Sequence, residues 1–267
     1  MITVFDIETA PDEEEVRRLV KLPEFVAPPK EFDQNHEFVL EKIGQAKVKK
    51  TRDSRIEEAR EEWPDFVESA PERHTAHCEG ILAKALDKAQ LDPRYSRICA
   101  FGITKKEESS IEDFIVSEER GLLTRAWRWF ELRVIENHTL YFYSGNNDSS
   151  IDCMFDYKFL LHRSRVHGIK IPEWAKPNNG RLPFAFRDLA IDYLGTWKYG
   201  EYRGADQCAL ELGLIDGDHV KMKKELPVTG RTFYKEIDEN WNLSEAGKEY
   251  LVNDLRLELA IAHALQL

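Results

Sequence analysis

No C-x-x-C pair occurs among the 4 cysteines, Cys78, Cys99, Cys153 and Cys208, which lie scattered along 267 residues. That spacing excludes a zinc ribbon or a redox dithiol and fits a reducing compartment. No apolar run is long enough to span a bilayer, and no leader is expected before the first strand-like stretch. The chain is therefore expected to be cytoplasmic, without membrane partners. Repeats and low-complexity segments are missing too. Basic charge is in short supply: 38 Lys and Arg stand against 49 Asp and Glu, a net charge of −11. A protein that coats nucleic acid would carry the opposite sign. An enzyme that grips a strand locally and meets its phosphates through metal ions is not excluded. The length allows a sizeable core.

What is present begins at once, with Ile2-Thr3-Val4-Phe5-Asp6-Ile7-Glu8-Thr9. β-branched and aromatic residues suit a buried strand. Strand side chains alternate, so Asp6 and Glu8 project to one face while Phe5 and Ile7 take the other. Two like charges on a core strand repel and lose hydration, and a divalent cation between them removes that penalty. A strand running out into an acidic loop, with Pro11 and Glu13 close behind, would give the same letters.

The segment from Pro11 to about Gln90 reads as helices and loops. Within it Lys47, Lys49, Lys50, Arg52 and Arg55 precede Glu57, Glu58, Glu61 and Glu62, the mixture of a solvated helix face, with a nucleic-acid patch that contacts phosphates as the alternative. Strand character returns at 98–103 and pairs back as a hairpin at 111–116. Leu122, Ala126, Phe130 and Val134 mark a helix with Trp127 and Trp129 as packing residues, and 139–143 is a further strand. This order predicts an α/β fold, a mixed sheet flanked by helices with a helical insertion after the first strand. Phe155 to Arg163 is helical, with Asp156, Leu160 and Arg163 at helical spacing; alone it would be an ordinary amphipathic helix with an exposed Asp. The terminal helix starts near Ser244, a good N-cap. There Tyr250 and Asp254 share a face with Leu257 and Ile261, and an Asp on an apolar face is costly unless paired or metal-bound. Tyr250 could equally be a core tyrosine with its hydroxyl at the surface.

Together these segments resemble the DnaQ-like 3′–5′ exonucleases of the tyrosine-bearing (DEDDy) branch. Phe5-Asp6-Ile7-Glu8-Thr9 looks like the first motif, Phe155 to Arg163 the second, and Tyr250-Leu251-Val252-Asn253-Asp254 the Y-x-x-x-D third. Glu249 stands where the histidine branch would place His. Leu91-Asp92-Pro93 running into Arg97 to Gly102 is similar to the exonuclease domain of family B DNA polymerases. The resemblance implies an RNase H-like sheet and a single domain over 1–267, with 11–90 as its mainly helical insertion. It implies Asp6, Glu8, Asp156 and Asp254 as ligands of two divalent ions, Mg²⁺ or Mn²⁺, and Tyr250 as the residue that orients the attacking water. Arg163 is assigned to supporting Asp156. The substrate implied is a single-stranded DNA 3′ end, with RNA as the alternative; a catalytically silent nucleic-acid-binding module is the rival from another class. The family places an Asn about four residues before its F-D pair. Here Asn146 and Asn147 sit further upstream of Phe155 and are the candidates for that substrate contact.

Overall fold

Ile2–Pro11 forms a 10-residue strand, β1, longer than the sequence pattern predicts and buried from Thr3 onward. It is buried because it is central. In the computed structural model, which describes residues 1–44, 49–104, 113–144, 155–179, 181–194, 204–215 and 220–266, β1 has a neighbour on each side. One is β2 (Ser96–Ile103), antiparallel; the other is β4 (Thr139–Phe142), parallel. Beyond β2 lies β3 (Asp113–Val116), antiparallel to it, and beyond β4 lies β5 (Phe186–Asp188), parallel to it. The result is a five-stranded mixed sheet of order β3-β2-β1-β4-β5.

Helices cover both faces. Phe5, Ile7, Phe101 and Ile103 pack on one side with Leu122 and Phe130 of α5 (Glu119–Ile135) and Leu160 of α6 (Phe155–Val166); the numbers α1–α4 belong to the insertion described below. Trp127 is a packing residue here, donating from Nε1 to Ser164 Oγ at 2.8 Å. The other face carries α7 (Leu189–Leu194), α8 (Ala205–Glu211) and α9 (Glu245–Ala264). There α9 docks closely on β2 because position 102 is glycine: a Cβ on Gly102 would lie 2.7 Å from Leu255 Cδ1. The β1–β2 register shifts between Glu8 and Thr9, leaving Cys99 as an extra residue on β2. Such a bulge re-aims side chains locally. Cys99 and Ala100 both join the core beneath the start of α9, with Ala10, Tyr250 and Leu251.

Glu119 ties this unit together. Its carboxylate accepts from the Ile98 amide (2.7 Å), from Arg163 Nε and Nη2 (2.9 and 2.6 Å), and sits 2.6 Å from His167 Nε2. Arg163 also donates to Pro93 O. The expectation that Arg163 supports Asp156 is thereby corrected. The guanidinium lies on the side of α6 where Glu119, itself 5% exposed, requires a counter-ion.

The chain divides into two compact units, 1–13 with 87–267, and 14–86. The second is helical, with α1 (Glu13–Leu19), α2 (Glu37–Ile43), α3 (Lys49–Glu68) and most of α4 (Ala70–Ala89). Its core is Val39, Ile43, Ala59 and Trp63, edged by Phe32, Phe38 and Phe66. The boundaries are narrower than the 11–90 expected, since Pro11 still belongs to β1 and Gln90 bonds back to Thr9 O. Arg55 caps α2 by donating to Ile43 O at 2.7 Å, Lys49 and Lys50 are exposed, and Lys47 lies outside the described residues. Where the chain leaves β1 and returns to β2, the Asp12 amide donates to Tyr95 O at 2.8 Å. Among the described residues no helix is long and apolar enough to cross a membrane.

Candidate metal centre

Asp6 and Glu8 reach the α9 face of the sheet because Phe5 and Ile7 are committed to the opposite core. Asp254 reaches the same place from α9, whose start is fixed by Ser244 Oγ accepting from the Gly247 amide at 3.0 Å. One carboxylate oxygen from each of Asp6, Glu8 and Asp254 lies within 4.8 Å of the others. All three residues are buried, with Asp254 only 2% exposed. Asp156, in the first turn of α6, is also buried and not exposed as an ordinary amphipathic helix would have it. It lies outside that three-oxygen group but within electrostatic reach of Asp6. Asn146 and Asn147 lie outside the described residues.

Tyr250 is buried, one helical turn before Asp254. Its hydroxyl points toward Gly230, where a Cβ would stand 3.3 Å from the phenolic oxygen and 4.0 Å from Glu8 Oε2. A side chain at position 230 would press on the phenolic oxygen and make only ordinary contact with Glu8, so glycine there lets the backbone pass close to the hydroxyl. The tyrosine's hydroxyl therefore faces the acids and not the surface.

Two site residues were not anticipated. Lys223, from the short 3₁₀ turn Lys223–Glu225, places Nζ 2.6 Å from Asp254 Oδ2 and 5.5 Å from the centre of the Tyr250 ring. Glu258, one turn beyond Asp254, is 4% exposed. The four-residue interval Tyr250, Asp254, Glu258 is visible in the sequence and could have flagged it. Nothing in the letters around Lys223 singles it out from Lys221 and Lys224.

Burial pushes the Asp6 carboxyl up to about 7, the negative Asp254 beside it adding to the effect and Lys223 opposing it. Burial also raises Glu8 well above its ordinary range, with Asp6 and Asp254 contributing. It does the same to Asp156, with Asp6 contributing most among the charges, and to Glu258, which faces Asp6, Asp156 and Asp254. Tyr250 is driven up by burial and then by Asp254, so its hydroxyl stays protonated. Burial opposes the charge on Lys223, but Asp254, Tyr250 and Asp6 together hold it well above the usual lysine range.

Asp6, Glu8, Asp156, Asp254 and Glu258 are five buried acids with one ammonium, that of Lys223, beside them, and so are short of positive charge. Asp6 Oδ2, Asp254 Oδ1 and Glu258 Oε2 are buried without a hydrogen-bond partner among the described residues. Orphaned carboxylate oxygens are expensive unless something electrophilic meets them. An all-oxygen, anionic donor set of this kind fits a hard divalent cation. No protein-family model matches the chain, and neither does any of the curated proteins or solved structures.

Proposed function

We propose that this protein is a divalent-cation-dependent 3′–5′ exonuclease. It would hydrolyse phosphodiester bonds from the 3′ end of single-stranded DNA on an RNase H-like sheet of the DnaQ-like (DEDDy) kind. The observation that carries the reading is the meeting of Asp6, Glu8 and Asp254 within 4.8 Å, with buried, partnerless oxygens on Asp6 and Asp254.

Asp6, Glu8 and Asp254 would hold one Mg²⁺ or Mn²⁺, and Asp156 with Asp6 would hold a second. When bound, such ions neutralise the acids and supply the positive charge that in-line attack on a phosphodiester requires. The chain's own residues do the rest. Tyr250 keeps its proton and is placed to donate a hydrogen bond that aims the attacking water, an orientation effect. Lys223 is the counter-ion of Asp254 in the cation-free protein and carries positive charge to the rim of an otherwise acidic site.

The test is product release from end-labelled single-stranded DNA, duplex DNA and RNA with Mg²⁺ or Mn²⁺, with and without EDTA, beside Asp254→Ala. Mononucleotides released from the 3′ end by the parent alone, and only with the cation, support the proposal. The RNA arm decides between nucleic acids. No release from any substrate with Mn²⁺ overturns it in favour of a silent binding module.

A further inference from the structure

On the sheet face that carries the carboxylates, a cavity of about 330 Å³ opens just past the acidic end of β1, lined by Ala10, Arg97, Cys99, Tyr234, Asp238 and Trp241 among others. It adjoins the proposed site by covalent and hydrogen-bonded links. Ala10 follows Glu8 by two residues and pairs with Arg97 across the sheet. Cys99 Sγ donates to Glu8 O at 3.4 Å. The far wall belongs to the segment that starts at Gly230, beside the Tyr250 hydroxyl, and continues through the 3₁₀ turn Phe233–Glu236 to Trp241.

Trp241 has φ +63°, a left-handed backbone that a bulky aromatic residue adopts only under constraint. The constraint is Asp238. Its side chain accepts from the Asn240 amide (2.9 Å), the Asn242 amide (2.8 Å) and Asn242 Nδ2 (2.9 Å), and its carbonyl accepts from the Trp241 amide at 3.0 Å. This clasp sets the indole at the cavity mouth, half-buried, with the Arg97 guanidinium 5.6 Å from the ring centre. Arg97 is exposed and pairs with no carboxylate among the described residues. An over-determined, strained residue at the rim of a cleft is the kind that function retains against stability.

We propose that this cavity is a second subsite for the nucleic-acid strand: it takes a base upstream of the scissile phosphate, stacked against Trp241 and Tyr234, while Arg97 meets a backbone phosphate. The inference rests on the nuclease reading and adds to it how a protein of net charge −11 holds a polyanion. Aromatic faces accept any base, so the grip is independent of sequence, and a single guanidinium supplies charge where the strand passes.

The experiment compares the KM for a thymidine dinucleotide with that for a longer oligothymidylate, both with Mn²⁺, in the parent, Trp241→Gly and Trp241→Phe. In the parent KM falls as the strand lengthens enough to reach the cavity. In Trp241→Gly that gain is lost, raising KM for the longer strand about 10- to 100-fold. Its thermal midpoint stays level or rises, because glycine relieves the left-handed strain. Trp241→Phe keeps an aromatic face and retains most of the gain. Arg97→Gln, an exposed change that spares the fold, flattens the salt dependence of oligothymidylate binding by about one charge. A Trp241→Gly protein with the parental length dependence, or an Arg97→Gln protein with the parental salt slope, overturns the subsite alone. A parent that hydrolyses neither strand overturns the nuclease reading and this inference with it.

Discussion

Replacing Asp6 by Asn should change how the cation-free protein responds to pH. In the folded chain the Asp6 carboxyl titrates at about 7, against an ordinary value of 3.8. A carboxyl raised by folding contributes its full share of stability below the unfolded value, and that share is lost as pH climbs through the folded value. The gap of about three pH units, at about 1.4 kcal/mol each, is worth roughly 4 kcal/mol. Somewhat less than 3 kcal/mol of it falls between about pH 5 and pH 8.5. At about 2–4 °C per kcal/mol for a chain of this size, the thermal midpoint in EDTA should drop by roughly 6–10 °C over that range on account of Asp6 alone. The raised Glu8, Asp156, Asp254 and Glu258 would steepen the fall. Asp6→Asn should flatten it and make the variant the more stable protein at the alkaline end. Saturating Mn²⁺ should restore the parent there, since ligand at about a hundred times Kd contributes about 3 kcal/mol. Thermal melts across pH, with EDTA or Mn²⁺, make the measurement. A parent as stable at pH 8.5 as at pH 5 without cation, or an Asp6→Asn slope equal to the parent's, refutes the reasoning.

Other outcomes follow from the same site. Tyr250→Phe keeps the ring and loses the hydroxyl, so turnover should fall by about 10- to 1,000-fold with Mn²⁺ affinity intact; parental turnover would make Tyr250 a core residue only. Lys223→Met removes the ammonium paired with Asp254, which on the proposed reading would compete with a cation for that carboxylate, so calorimetry should find Mn²⁺ bound roughly 3- to 30-fold more tightly while the cation-free midpoint drops. Equal Mn²⁺ affinity would show that Lys223 and the ion do not share that carboxylate. Glu258→Gln should stabilise the cation-free protein at alkaline pH by about 1–3 kcal/mol, read as a higher denaturation midpoint in urea with EDTA. A lower midpoint would mean that the buried carboxylate has a partner that the amide cannot replace.

The sequence carried most where a pattern had a period. Alternation along Ile2–Glu8 placed Asp6 and Glu8 on one face, and the four-residue step from Tyr250 to Asp254 placed both on one turn of a helix; the three-oxygen group follows from these two patterns meeting. β5 escaped notice because Phe186–Asp188 is three residues long, too short for alternation to register. The Asp156 environment was equally hidden, since the burial of a helix's first turn depends on what the rest of the chain brings over it. Lys223 sits in a 3₁₀ turn with no periodicity at all, and its partner lies 31 positions away. Arg163 was misassigned because helical spacing names the residues on one face without saying which neighbour approaches it. Glu119, the neighbour that does, lies 44 positions earlier.

The hydrogen bond from the Asp12 amide to Tyr95 O has a consequence for how such a protein could diversify. It brings the exit of β1 and the entry to β2 side by side, so the 14–86 unit occupies the place of a hairpin turn between antiparallel neighbours. Closing a loop whose ends already meet costs entropy that grows only with the logarithm of its length. Seventy-odd residues there cost the sheet little more than a dozen would. The junction thus behaves as a cassette position. The helical unit could be enlarged, exchanged or shortened to a tight turn by genetic recombination while the register of β1 against β2, and with it the positions of Asp6 and Glu8, is inherited unchanged. Natural variation in a lineage built this way would concentrate at that junction and leave the strands on either side constant.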